Sequence, residues 1–171
     1  MKKFEQLLAI NPESFDLVFD YASELFGETH VSEASKRPAD YTERCSKIEG
    51  LYNKALGLKP DSYETMLSLG KHFYNQMLFI EEDSYKVKGT TPEAVKKKAD
   101  YAALINEMVD KTIPQLEKVF NHYDGMGKLK VGERSNFKSA CSLLNYCYDK
   151  KKDKTKAELY QKKYDEADKA H

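Results

Sequence analysis

The stretch that decides the fold is Leu51 to Gln76, LYNKALGLKPDSYETMLSLGKHFYNQ. Apolar residues recur at helical spacing on both sides of the Lys59-Pro60-Asp61 break, which predicts two helices joined by a tight turn. Gly70 lies inside the second helix, where glycine costs roughly 1 kcal/mol relative to alanine. Because a small side chain lets two helix backbones approach each other, a glycine that is present despite this cost predicts a close crossing with a neighbouring helix.

The same pattern occurs 48 positions earlier in the chain. Phe4 to Phe26, FEQLLAINPESFDLVFDYASELF, aligns with Tyr52 to Tyr74, YNKALGLKPDSYETMLSLGKHFY, and Ala22 takes the position of Gly70. A weaker third copy, FKSACSLLNYCY, covers Phe137 to Tyr148. No stretch alternates with a period of two, as a half-buried strand would. We therefore expect an all-α chain of about three irregular helical pairs followed by a polar C-terminal helix.

Prolines and capping residues predict where the helices begin and end. Asn11-Pro12 ends the first helix, Asp61 is the expected cap of the fourth, and Thr91-Pro92 begins the fifth. Pro114 predicts a kink or a break in the fifth helix, because proline removes one backbone hydrogen bond. The segment 124–133 is expected to be a loop. The remaining expected ranges are 15–26, 41–58, from 62 past 77, 135–150 and 154–169.

Composition excludes several classes of function. The 171 residues include 28 basic and 28 acidic side chains, so no electrostatic argument favours nucleic acid. The longest apolar runs are too short to span a bilayer. No leader is visible, which predicts a cytoplasmic protein if this is the full chain and a cell-envelope protein if an upstream leader was removed.

Motifs for metal, cofactor or catalytic chemistry are not recognisable. Three cysteines without a CxxC pair argue against a disulfide framework, and four histidines lack the spacing that places two ligands on one helix face, so no metal or cofactor is expected. Asp124 to Lys128, DGMGK, lacks the rest of a phosphate-binding loop. The acidic run Glu81 to Asp83 is interpreted as a solvated helix end. We expect no enzyme, although a dispersed site around His72 or His122 stays an alternative.

In the repeated segments, and most specifically in residues 52–76, the chain resembles the tetratricopeptide repeat family, which stacks helical hairpins into an α-α superhelix. The wider chain is similar to divergent repeat proteins of Bacteroidetes-type bacteria. Its spacings of 48 and 64 exceed the family's repeat of about 34 residues. The resemblance implies one repeat domain over residues 1–171. The positions that match the family's large, small and proline positions are Ile48, Tyr52, Ala55, Pro60, Leu69, Gly70, Phe73 and Tyr74.

The resemblance also implies a non-catalytic scaffold or adaptor that binds a peptide or a partner helix in a concave groove. The alternative is an assembly protein that forms a homo-oligomer. Lys71, Asn75 and Asn145 would hold a carboxylate, and the aromatic positions either form a ladder along the groove or pack between helical pairs. The residues that matched position assigns to the groove are Phe19, Ser23, Phe26, Leu67, Lys71, Tyr74, Asn75, Asn145 and Tyr148.

Overall fold

The structure, a computed structural model, describes residues 2–168. α-Helices and a 3₁₀ turn at Ala34–Lys36 make up the regular secondary structure of this range, which confirms the all-α prediction. Within the described range, no helix combines the length and hydropathy that crossing a bilayer requires. The helices are α1 Lys2–Ile10, α2 Phe15–Thr29, α3 Tyr41–Leu58, α4 Tyr63–Tyr85, α5 Pro92–Asp124, α6 Val131–Lys150 and α7 Lys154–Glu166.

Most helix ends lie close to their predicted positions. The bounds of α3 agree, and α2 runs one turn further than expected. Helix α6 begins at Val131 instead of 135, because the Glu133 side chain accepts a hydrogen bond from the Lys130 backbone N–H at 2.8 Å and caps the helix there. The predicted end of the last helix at Lys169 lies outside the described residues.

The chain forms two compact units, the first ending at His72 and the second beginning at Phe73. The division lies within α4, which therefore contributes residues to both units. The prediction of a single repeat domain over residues 1–171 is not tested by this division and stays a prediction.

The first unit is built on the packing of α2 against α3. Buried apolar residues repeat at intervals of three and four along both helices, as two facing apolar stripes require. Ala22 is fully buried, and Gly70 on α4 is buried too. The buried apolar residues of α2 and α3 are Val18, Tyr21, Ala22, Leu25, Cys45, Ile48, Tyr52 and Ala55.

The two proline turns of the first unit carry the same capping hydrogen bond. The Ser14 hydroxyl accepts from the Leu17 backbone N–H at 3.4 Å, and the Ser62 hydroxyl accepts from the Thr65 backbone N–H at 3.3 Å. The expectation that Asp61 caps α4 is therefore wrong: the serine one residue later points its short side chain at the free amide. The sequence repeat of 48 residues is thus also a repeat of local structure.

The second unit is built on α6, which packs against both α5 and α7. Thr91 caps α5 by accepting from the Ala94 backbone N–H at 3.3 Å, with Pro92 at the first helical position, as predicted. Pro114 lies inside α5 and does not split it. The buried apolar residues of the unit's three helices include Val109, Leu116, Val119, Phe120, Phe137, Ala140, Cys141, Leu144, Cys147, Ala157 and Tyr160.

Candidate functional site

The predicted groove residues of the first unit differ in how exposed they are. Leu67 is buried in the core, so its side chain does not line an open surface. Phe19 on α2 is partly exposed, with its ring stacked on Phe15 at 5.9 Å. Ser23 is also partly exposed; burial raises the pKa of the Tyr52 phenol, and the neighbouring Ser23 hydroxyl opposes that rise. Phe19 and Ser23 therefore lie at the surface next to the helix pair's core.

Lys71 is the charged member of this set. Its side chain is partly buried on α4, and burial lowers the pKa of its ammonium group. Within residues 2–168 its ammonium makes no hydrogen bond or ion pair. A cation that loses water without gaining a counter-ion is costly, so this position favours an anionic group from outside the chain.

The predicted groove residues of the second unit mostly hold its helices together. The Tyr148 hydroxyl donates to Glu117 Oε1 at 2.6 Å, and its ring stacks on Tyr160 at 5.5 Å. Asn145 donates to the Ala157 backbone carbonyl at 2.9 Å, which ties α6 to α7. For Tyr148, the structure favours the packing alternative over a place in an aromatic ladder.

Tyr74 and Asn75 complete the predicted set. The Tyr74 ring meets Tyr146 edge to face at 5.3 Å, and burial raises the pKa of its phenol. Asn75 is partly exposed. Tyr74, Asn75 and Asn145 are all partly exposed and retain surface that a ligand would reach, whereas Tyr148 is buried.

Two histidines and a cysteine meet inside the first unit. His30 follows the end of α2, Cys45 lies on the first turns of α3, and His72 lies on α4. His30 Nε2 and His72 Nδ1 are 2.8 Å apart, and the donor atoms of all three side chains lie within 4.8 Å of one another. Cys45 and His72 are buried, whereas His30 is partly exposed.

Aromatic residues surround this cluster, hereafter the His-Cys-His cluster. The Phe26 ring lies 4.7 Å from His30 and 6.4 Å from His72. The Tyr41 ring meets the His30 ring edge to face at 5.8 Å, and the Arg37 guanidinium lies over the Tyr41 ring at 5.4 Å. Burial is the main cause of the raised pKa of the Cys45 thiol, and the neighbouring Tyr41 and Arg37 side chains oppose that rise.

The His30 imidazole is uncharged at physiological pH and can therefore donate a lone pair. Burial lowers the pKa of His30 to about 4, so its imidazole carries no charge at pH 7. A neutral imidazole offers a lone pair to a hydrogen-bond donor or to a metal ion. Sequence reasoning did not indicate the cluster, because its members belong to three different elements and share no helix face.

Glu81 is the buried member of an acidic run that was expected to be solvated. Its carboxylate accepts from the Tyr146 hydroxyl at 2.7 Å and pairs with the Lys150 ammonium. The expectation of a solvated helix end is wrong for Glu81, because these two partners on α6 replace the water that burial removes.

The segment DGMGK, between α5 and α6, borders a cavity of the second unit. Tyr123, Phe137 and Met126 are among the residues that line it. At its edge the Asp124 carboxylate pairs with the Lys163 ammonium at 2.6 Å. Lys163 is the one cation among the described residues that line the cavity, and because it is already paired, these residues offer no unpaired cation to a phosphate group.

Comparison with known proteins does not add to this description: no family model, curated protein or solved structure matches the chain.

Proposed function

We propose that this chain is a non-catalytic scaffold of the tetratricopeptide-repeat type, of bacterial origin, that binds a peptide or helix of another protein. The resemblance of residues 48–74 to that family supports this proposal, as do the repeated helical pairs of the first unit. The observation that carries it is Lys71, a partly buried ammonium group without a counter-ion in the described chain.

The surface of the first unit suits a peptide with an acidic group. Phe19 and Phe26 offer partly exposed aromatic rings, and aromatic anchors supply much of the free energy of peptide binding. Lys71 would form a charge-assisted hydrogen bond with a side-chain or C-terminal carboxylate of the peptide.

Selection from a random peptide library with free C-termini tests the proposal. We expect enrichment of acidic peptides whose affinity falls about tenfold or more in Lys71→Ala, because a hydrogen bond to a charged group contributes roughly 1.5–3 kcal/mol. Amidating the C-terminus of each enriched peptide separates recognition of a terminal carboxylate from recognition of a side chain.

Lys118→Ala is the matched control, since Lys118 is an exposed lysine on α5. Circular dichroism of both variants checks that the fold is intact, and the Lys71 ammonium has no polar partner among residues 2–168 whose loss would destabilise the fold. A library that yields no binders, or binders with equal affinity for the protein and Lys71→Ala, would contradict the proposal.

Self-association is the second candidate function, and the first half of α5 favours it. Val95 is 54% exposed and Leu104 is 44% exposed on this helix. Because these side chains are about half exposed, burying them between two copies would gain roughly 0.7–1.5 kcal/mol for each, about half the value for full burial. We would then expect a dimer in the parent chain and a monomer in Val95→Glu/Leu104→Glu.

Light scattering across a concentration series measures this directly. Leu159→Glu is the control, because Leu159 on α7 is also 44% exposed and lies outside the proposed interface. A parent chain that stays monomeric at every concentration rules out the assembly function.

A further inference from the structure

The His-Cys-His cluster offers the donor set of a transition-metal site. Two imidazole nitrogens and one sulfur converge from the residue that follows α2, from α3 and from α4. Calcium and magnesium prefer oxygen donors, whereas imidazole and thiolate are the donors that zinc and its neighbours in the transition series prefer. We propose that His30, Cys45 and His72 bind a single divalent transition-metal ion, with Zn²⁺ as the fitting species.

The distances fit such an ion closely. Zn–N bonds of about 2.0–2.1 Å and Zn–S bonds of about 2.3 Å in a tetrahedron place donor atoms roughly 3.3–3.6 Å apart. His30 Nε2 and His72 Nδ1, now 2.8 Å apart, would separate slightly. The three donor atoms, which lie within 4.8 Å of one another, would close by about 1.5 Å at most. Rotation of side chains alone supplies movements of this size.

Metal binding would replace the hydrogen bond between the two imidazoles. Cys45 loses its thiol proton to solvent and forms a metal–sulfur bond. The imidazole that carries the proton between His30 Nε2 and His72 Nδ1 releases it to solvent and takes up a proton on its other nitrogen, so the charge of neither ring changes. One ion therefore binds with the net release of one proton.

The surroundings shield a bound ion and also allow it to enter. The Phe26 ring, 4.7 Å from the His30 ring and 6.4 Å from the His72 ring, belongs to the apolar shell that limits solvent access to a metal site. His30 is partly exposed and lies at the end of α2, so the ion reaches the cluster from the side of His30. Three protein ligands leave the fourth position of a tetrahedral ion for water.

Cobalt binding tests directly whether the Cys45 sulfur is a metal ligand. Co²⁺ is added to the untagged, chelator-treated full chain, and absorption spectra are recorded, since Co²⁺ bound to a thiolate shows a sulfur-to-metal charge-transfer band. We expect this band in the parent chain at one ion per chain, and its displacement by one equivalent of Zn²⁺. Thermal melts with and without Zn²⁺ should show a higher melting temperature with the ion.

Substitutions in the His-Cys-His cluster test whether the charge-transfer band arises there. Cys45→Ser, which is nearly isosteric, should lose the charge-transfer band, and His30→Gln should weaken Co²⁺ binding by at least about tenfold. His122→Gln and Cys147→Ser are the matched controls, because both residues lie in the second unit, and both should bind as the parent does. If Cys45→Ser does not fold, His30→Gln decides, since His30 is partly exposed.

Two results would overturn the proposal. In the first, the folded parent chain shows no charge-transfer band at any Co²⁺ concentration, which would mean that the cluster is a hydrogen-bonded part of the core and nothing more. In the second, the band persists unchanged in Cys45→Ser or in His30→Gln, which would place the ion elsewhere. This experiment is independent of the peptide selection, because neither variant changes Lys71.

Discussion

Among residues 2–168, Lys152 is the non-glycine residue with a positive φ. Its φ of 59° places it in the left-handed region, in the turn between α6 and α7. The turn closes through a hydrogen bond from the Asp153 backbone N–H to the Tyr148 carbonyl at 3.0 Å. This conformation costs a residue with a Cβ roughly 1–2 kcal/mol, and glycine at this position would not have that cost.

Lys152→Gly should therefore stabilise the chain. We expect the free energy of unfolding to rise by about 0.5–1 kcal/mol, part of the gain being offset by the entropy of glycine in the unfolded chain. Urea titration followed by circular dichroism measures the change. Lys151→Gly is the comparison: its φ is −73°, so glycine brings no relief there and should lower stability. Equal effects of the two substitutions would contradict the argument.

Glu81 connects α4 to α6 through a buried carboxylate. Glu81→Ala leaves the Tyr146 hydroxyl and the Lys150 ammonium without their acceptor. We expect a loss of about 2–4 kcal/mol in the free energy of unfolding. Glu82→Ala is the control one residue away, because its exposed pair with Lys86 should contribute about 0.5 kcal/mol or less. A loss at Glu81 no larger than at Glu82 would show that the buried contacts add no stability.

Among the helices, α5 carries a proline in its interior. Pro114 is exposed, and the helix continues past it to Asp124. Proline inside a helix removes a backbone hydrogen bond and crowds the preceding turn, at a cost of about 3 kcal/mol.

Pro114→Ala should consequently raise the free energy of unfolding by about 1–3 kcal/mol, because the backbone N–H at position 114 regains its acceptor. Differential scanning calorimetry shows this as a higher melting temperature. Lys118→Ala, one turn later on the same helix, should change the stability by less than about 0.5 kcal/mol. A melting temperature that falls in Pro114→Ala would indicate that the fold depends on the altered helix geometry.

Helix α1 is held by polar and aromatic contacts, since none of its described residues is buried. The Glu5 carboxylate accepts from the Lys47 ammonium at 2.6 Å and from the Tyr21 hydroxyl at 3.0 Å. Phe4 stacks on the Tyr21 ring at 5.2 Å. The hydrogen bond from Lys47, followed by that from Tyr21, lowers the pKa of Glu5.

Because the folded-state pKa of Glu5 is lowered, its contribution is present above the unfolded pKa of about 4.3 and is lost as pH falls below it. We expect Glu5→Gln to reduce hydrogen-exchange protection of α1 amides at pH 7. In the parent chain, the ring-current shift that the Tyr21 ring causes in the NMR signals of Phe4 should decrease as the pH falls. Glu13→Gln, an exposed carboxylate in the following turn, is the control. Unchanged α1 protection in Glu5→Gln would contradict this account.

Across the whole molecule, the three cysteines are free and buried. Burial, which for Cys141 acts together with the Asp124 charge, raises the pKa of the Cys141 and Cys147 thiols to about 12. Thiolate is the reactive form, and an unfolded cysteine has a pKa of about 8.5. The folded chain therefore protects both thiols by burying them and by keeping them protonated.

Thiol reagents should accordingly modify Cys141 and Cys147 at pH 8 only after urea unfolds the chain. Because the folded pKa is raised, the stability that these thiols contribute is complete below about pH 8.5 and is lost as pH rises towards 12. Mass spectrometry after timed alkylation measures the first effect, and urea titrations at pH 8 and 10 measure the second. Fast native alkylation at pH 8 would show that these helices open readily.

The sequence by itself determined the helices and their junctions, because these depend on interactions within a few residues. Helical periodicity predicted α3 to its ends, and Thr91 with Pro92 predicted the start of α5. The cap at Ser62 was missed, since Asp and Ser are adjacent candidates and only local geometry distinguishes them. Ser14, the matching residue 48 positions earlier, caps its own helix in the same way.

Only the tertiary structure decided which distant residues meet. His30, Cys45 and His72 lie on separate elements, and no spacing rule connects positions brought together by helix packing. The burial of Glu81 and of Tyr148 likewise depends on which neighbour covers that face of its helix. Hydrophobic periodicity specifies that a face is buried, but it does not specify the partner, because apolar contacts are non-directional and many pairings satisfy the same pattern.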